Sequence, residues 1–323
     1  MIGELSALAT AFCWSGSSIA FAEAALRVGS VRVNVTRLLL AASLLALTLL
    51  VFAIPIDLSK TQLSNLFFSG ILGLVFGDSF LFKSYEYNGP RISSLIMSTA
   101  PAITAILAYF FLHESLGPWA IMGIAVTLVG IGLVVVSRQE PSSKFPRITG
   151  RGIFFAFFGA CGQAGGLIAA KLAFNEGAIN GLAATFVRIL SALLLLVPIA
   201  GLSRRFVSPW NEYFAQKKTF GLTLLGAILG PYLGITLSLV AIENSKVAVA
   251  ATIMAVVPII MLPLMKLIYK EIFSWRAYVG AIVAGVAMCF WSRRTFLDFE
   301  YSFFLCCCAN FCVFYLGFAP FSA

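Results

Sequence analysis

One carboxylate stands inside an apolar run. Asp78 follows Ile-Leu-Gly-Leu-Val-Phe-Gly at 71–77 and precedes Ser79-Phe80-Leu81-Phe82. Tyr85, seven residues on, shares its helix face. A charge at the middle of a bilayer costs about 3 kcal/mol even on translocon scales, so such an acid must face protein or water. There it can carry a proton, hold a cation or pair with a substrate amine. The plainer reading is a structural hydrogen bond to a neighbouring helix. Proton transfer gives a definite expectation: Asp78→Asn leaves the chain folded and inserted but abolishes proton-linked transport.

Two arginines are placed alike. Arg37 lies in Thr36-Arg37-Leu38-Leu39-Leu40-Ala41 and Arg188 in Val187-Arg188-Ile189-Leu190-Ser191-Ala192. Each can bind an anionic group of a substrate, or snorkel to lipid headgroups. Polar residues also recur at helical spacing: Thr10, Trp14 and Ser17; Ser94, Ser98 and Pro101; Tyr232 and Thr236. Such stripes line cavities, and they also pack membrane helices closely. The candidate cavity set is therefore Asp78, Tyr85, Trp14, Ser98, Tyr232, Arg37 and Arg188. Pro101 and Pro258 free backbone carbonyls and kink their helices. Glu114 and Glu271, beside Ser115 and Ser274, suit the positive N-terminal ends of helices. Glu23 and Lys171 lie near span ends and are expected to reach water.

These residues sit in a chain made for lipid. Hydrophobic residues are 60% of it and charged residues 11%, against roughly 25% charged in soluble domains. A bilayer core needs about 20 apolar residues per helix, and such runs occur almost end to end. The alternation expected of a membrane β-barrel is missing. Ten spans are expected: 3–25, 33–54, 65–86, 92–112, 118–137, 152–174, 181–200, 219–240, 247–268 and 275–292. The first reads as a retained span, not a cleaved signal. Residues 293–323 form an apolar tail rich in cysteine and aromatics, with Tyr301–Ala319 a marginal extra span. Its Cys306-Cys307-Cys308 run points in different directions, so no metal is expected there. No nucleotide-binding loop or hydrolase motif occurs, so neither a cofactor nor an enzyme is expected.

The spans repeat. Pro258 answers Pro101 at a spacing of 157, and Glu271 answers Glu114, Gly280 answers Gly123, Glu243 answers Glu86, and Ile253-Met254 answers Ile96-Met97. Gly226-x-x-x-Gly230 matches Gly73-x-x-x-Gly77, which makes Pro231 the counterpart of Asp78. The expected organisation is a first five-helix repeat at 1–137, a linker at 138–151 and a second repeat at 152–292. An odd number of spans per repeat inserts the second upside down, and places Arg37 and Arg188 toward opposite faces. Loop charges agree. Thirteen Lys and Arg follow odd-numbered spans, from Arg27 to Arg276, and four follow even ones, Lys60, Lys246, Arg293 and Arg294. The positive-inside rule puts the odd gaps in the cytoplasm. The net charge of +9 is thus loop charge, and no nucleic-acid partner is expected.

The chain resembles the drug/metabolite transporter superfamily, in its EamA-type members, over residues 3–292. The resemblance rests on Ala11-Phe12-Cys13-Trp14-Ser15-Gly16, on Thr36-Arg37-Leu38-Leu39 and on both Pro-to-Glu hairpins. It implies an all-α integral membrane fold of ten transmembrane helices, two inverted five-helix repeats around a central cavity. It also implies export or exchange of a small metabolite without ATP. The expected protein is a multi-pass cell-membrane transporter of a small polar metabolite, an amino acid or related amine, with protons as the coupling ion. Two alternatives stand beside it. One is efflux of lipophilic cations through an aromatic cage of Trp14 and Tyr85 with Asp78. The other is a membrane scaffold or lipid-modifying protein without a through-going cavity.

Overall fold

The structure is a computed structural model. It describes residues 2–114, 149–202 and 217–269, with a few isolated positions between 117 and 129. Spans 118–137 and 275–292, Gly123, Gly280, Ser115, Glu271, Ser274, most of the linker and the tail lie outside the described residues.

The described chain is helical, without a strand. In order it runs α1 (Ile2–Val28), α2 (Ser30–Val51), α3 (Lys60–Gly70), π1 (Ile71–Gly77), α4 (Asp78–Met97) and α5 (Ala100–Leu112). After the linker come α6 (Gly150–Asn175), α7 (Gly181–Leu202), α8 (Lys217–Ala227), π2 (Ile228–Gly234), α9 (Ile235–Glu243), α10 (Val247–Met254) and α11 (Val257–Tyr269). Six helical stretches are long and apolar enough to cross a bilayer: 2–28, 30–51, 60–97, 150–175, 181–202 and 217–243. Large apolar side chains point outward from them, Leu50 and Leu194 among them, as lipid-facing surfaces require. The inner sides carry small residues. Ala7, Ala41, Ala170, Ala184 and Ala192 are wholly buried beside Leu38, Leu45, Ile189 and Leu239, so the backbones approach closely.

Two segments depart from the α-helix in the same way. In π1 the N–H of Asp78 bonds the carbonyl of Gly73, and in π2 that of Ile235 bonds the carbonyl of Gly230. These are five-residue steps, the mark of a π-turn. The segments share Ile-Leu-Gly-x-x-x-Gly and stand 157 positions apart. This corrects the glycine match drawn from sequence: Gly73 and Gly77 answer Gly230 and Gly234, not Gly226 and Gly230. The counterpart of Asp78 is therefore Ile235 and not Pro231. The error arose because Gly226, Gly230 and Gly234 offer two overlapping frames; the spacing of 157 and the backbone ladder both select the second.

The spacing of 157 holds further along. α4 ends at Met97 and α5 begins at Ala100; α10 ends at Met254 and α11 begins at Val257. Pro101 and Pro258 each follow their break by two or three residues, because a proline inside a helix removes one donor and clashes with the preceding turn. The breaks touch: Ser98 Oγ donates to the carbonyl of Ala255, its own counterpart, at 3.2 Å. α4 also carries an interruption at Gly89, φ 70°, just before Pro90.

Contacts between the halves are reciprocal. π1 lies on α6, so near that a Cβ built on Gly162 would stand 2.5 Å from Cα of Gly77. π2 lies on α1, where a Cβ on Gly234 would stand 2.6 Å from Nε1 of Trp14. Gly152 of α6 abuts Asn88, and Gly3 of α1 abuts Ser245, which lies 157 positions beyond Asn88. Each half thus covers its neighbour's π-turn with its own first helix.

Candidate substrate cavity

A cavity opens where these reciprocal contacts converge. Its walls come from α1, α2, π1, α4 and α5 on one side, and α6, α7, π2, α9, α10 and α11 on the other. About 110 Å³ is open to the centres of water-sized groups. One water needs roughly 10–15 Å³ on that scale, so a small metabolite has room.

Three charged side chains line the cavity among the described residues, and all are buried: Arg37, Asp78 and Arg188. Asp78 is positioned by π1, whose extra residue turns the start of α4 toward α2. There its carboxylate forms an ion pair with the guanidinium of Arg37. Asn34, one turn earlier on α2, holds that guanidinium from the other side. Its Oδ1 accepts from Nε of Arg37 at 2.9 Å and from Nη2 at 2.8 Å. The amide of Asn34 in turn donates to Ser79 Oγ at 3.3 Å. The guanidinium also lies over the rings of Phe82, at 4.6 Å, and Phe21, at 5.4 Å. Ion pair, hydrogen bonds and cation–π contacts together fix Arg37 in one place. Asp78 is thus not the lone carboxyl that the sequence suggested, because the neighbouring helix supplies its partner.

Arg188 is placed differently. It enters from α7 and is 2% exposed. Its Nε is buried without a partner, and its side chain donates no hydrogen bond among the described residues. A Cβ on Gly73 would stand 3.1 Å from its Nη2 and 3.7 Å from Oε1 of Gln163, so a bare glycine leaves these two groups their space. The acid whose field reaches it is Asp78, already held by Arg37. Both arginines border one cavity. α2 and α7, which carry them, pack against one another. Burial also removes the snorkelling reading for both.

The other candidates divide. Trp14, Ser98 and Tyr85 line the cavity, and Tyr85 donates to Ser18 Oγ at 3.0 Å. Tyr232 is not among the lining residues. It lies in π2 but turns to α2, where its hydroxyl and that of Thr48 are 2.9 Å apart. The structure adds Gln163, Ser18, Phe21 and Phe82 to the walls, and Asn34 behind them. Gln163 was legible in principle: aligning Gly3 with Gly152 sets it opposite Trp14.

The polar groups away from the cavity serve helix ends. Glu114 accepts from the N–H of Val247, the first residue of α10, at 3.4 Å. Lys171, partly exposed, also serves a helix end. Its ammonium donates to the carbonyls of Ile242 at 2.5 Å and Ser245 at 3.2 Å, at the end of α9, where a cation suits the helix dipole. Glu23 pairs with Arg27 at 2.5 Å.

A model of the EamA-like transporter family matches residues 1–136 and again residues 150–293. The chain belongs to the EamA-like transporter family. The two matches cover both halves of the cavity wall. The chain is also 27% identical over 125 residues to the uncharacterized transporter YxxF of Bacillus subtilis (strain 168), an alignment spanning 39% of each chain. A crystal structure of a protein superposes with a TM-score of 0.69 over 89% of this chain and 95% of that one, at 14% identity. That likeness shows a shared fold. With the apolar helices, membership makes this a multi-pass membrane protein of a transporter family.

Proposed function

We propose that this EamA-like protein is a secondary transporter that exports or exchanges a small polar metabolite, an amino acid or related amine, by alternating access at the described cavity. The observation that carries the reading is the set of three buried charges, Arg37, Asp78 and Arg188, around one void between the halves. Buried charge at such a site is expensive and marks a solute path. The reading includes ten helices in two inverted repeats, 1–137 and 152–292, joined by a cytoplasmic linker at 138–151 in the cell membrane. The reciprocal packing of π1 on α6 and π2 on α1 supports a twofold relation in the membrane plane. Alternating access then rocks one half against the other about the touching breaks at Ser98 and Ala255. The cation-efflux alternative has less support, because Asp78 is already engaged by Arg37. Coupling to protons would act through that pair: protonating Asp78 releases Arg37.

The test is flux in liposomes holding only this protein, loaded with a pool of labelled amino acids and amines. A transporter releases some of them faster than empty vesicles do, and Asp78→Asn loses the dependence on a pH gradient. Flux no faster than from empty vesicles across the pool would favour the scaffold reading and refute this one.

A further inference from the structure

We infer that Arg188 is the substrate's anion-binding residue, and that the solute carries a carboxylate which this guanidinium takes as its missing partner. The inference rests on the transporter reading and narrows it, setting amino acids and other carboxylates apart from simple amines.

The two arginines make the case by contrast. Arg37 has Asp78, Asn34 and two aromatic faces. Arg188, equally buried, has an unpartnered Nε and no hydrogen-bond acceptor among the described residues. A guanidinium carries five donors in a planar fork. Leaving them buried and unused is strongly unfavourable, so the arrangement makes sense only when something else fills the site. That position is open on the cavity side: Arg188 lines the void together with Gln163, across from Gly73.

Charge decides which anion. The described lining residues bring two guanidiniums and one carboxylate. A plain monocarboxylate leaves two of each and no net charge, whereas a zwitterionic amino acid brings an ammonium with its carboxylate and leaves the sum at one positive charge. A phosphate monoester, at about −1.5 to −2, would overshoot. Planar bidentate geometry also fits the fork of an arginine to a carboxylate. The rest of the wall on the side of Arg188 is mostly apolar: Leu167, Ile235, Met254 and Val257 line it, with Ser238. The ligand is thus a small carboxylate with an apolar body.

The test uses the purified full chain in detergent and in liposomes. The probes are L-leucine, L-phenylalanine and 3-phenylpropionate, each beside its amide, which lacks the carboxylate, and its decarboxylated amine or hydrocarbon analogue, with inorganic phosphate as a further probe. Carboxylates are expected to raise the melting temperature and to move across the bilayer, and the amides, amines and phosphate to do neither. Arg188→Met should abolish the carboxylate response, and Arg188→Lys should keep a weakened one. Arg188→Met should also raise the melting temperature of the unliganded protein, because it removes an unpaired buried charge. A lowered melting temperature in Arg188→Met would make Arg188 a structural residue and overturn the inference. So would amides, amines or phosphate acting as well as the carboxylates, or no probe acting. Amines crossing while carboxylates do not would refute the inference and leave transport standing. Carboxylates binding at Arg188 without any flux would refute transport and leave the anion site standing.

Discussion

The two walls of the cavity are built on one plan and carry unlike chemistry. Position for position, the first half sets Trp14, Asp78, Ser94 and Ser98 where the second sets Gln163, Ile235, Ala251 and Ala255. The arginines, Arg37 and Arg188, and the methionines, Met97 and Met254, are kept on both sides. The first wall pairs its own charges, Asp78 with Arg37, and holds Tyr85 on Ser18; the second carries Arg188, Gln163 and Ser238 among apolar residues, and its guanidinium has no such partner. A duplicated backbone thus supplies the geometry of the cavity, and substitution at a few matched positions gives it one closed polar side and one receptive side.

Breaking the closed side should have the largest effect. Asp78→Ala or Arg37→Met leaves a buried charge without its partner, at a cost of about 3–5 kcal/mol. Thermal unfolding in detergent should show each single variant well below the parent. The double variant Arg37→Met/Asp78→Leu should recover most of the loss. If the singles melt with the parent, the pair contributes no stability and the contrast with Arg188 disappears.

The backbone contact comes next. A Cβ at Gly162 meets only backbone, at 2.5 Å from Cα of Gly77, whereas one at Gly234 meets the indole of Trp14 at 2.6 Å, which can turn, and the Leu229 carbonyl at 2.8 Å. Gly162→Ala is therefore expected to destabilise by roughly 1–3 kcal/mol. Gly234→Ala should destabilise less and displace Trp14, read as a change in tryptophan fluorescence. Equal melting temperatures for the two variants would mean that both halves yield alike.

Making the walls equal gives a sharper test. Ile235 answers Asp78 as Arg188 answers Arg37, so Ile235→Asp should give Arg188 a carboxylate of its own. Carboxylate binding should then fall at least tenfold, about 1.4 kcal/mol, while Ile235→Asn should affect it less. Titration calorimetry with 3-phenylpropionate reads the difference. Unchanged affinity in Ile235→Asp would show that the matched positions do not face one another as their counterparts do.

The smallest effect belongs to a residue outside the cavity. Tyr232→Phe loses the contact with Thr48, worth about 1 kcal/mol, and should leave flux unchanged. Reduced flux with normal stability would bring Tyr232 back into the solute path.

Much of this plan is legible in the sequence. Apolar runs give the helices, and the pairs Pro101/Pro258 and Glu86/Glu243 give the duplication. Asp78, Arg37 and Arg188 stand out because charge is rare in such runs. What the residues alone do not give is pairing. Whether an arginine is satisfied depends on the acid of another helix, and Asp78 could reach either guanidinium until the folded backbone places it. The π-turns are hidden for a related reason. Ile-Leu-Gly-x-x-x-Gly reads as an ordinary close-packing motif, and an extra residue within one turn leaves no mark in residue type. A misread frame of four residues was enough to assign Asp78 the wrong counterpart.

Each π-turn holds one residue more than an α-helix of its length would. Wound as an ordinary helix, the same seven residues would turn everything beyond them by about 100° relative to what comes before. Asp78 would then leave the face toward Arg37. No exchange of one side chain for another along the cavity could undo that rotation. The geometry of the cavity is therefore written partly in chain length: at these two places the count of residues shapes it as much as their identity does.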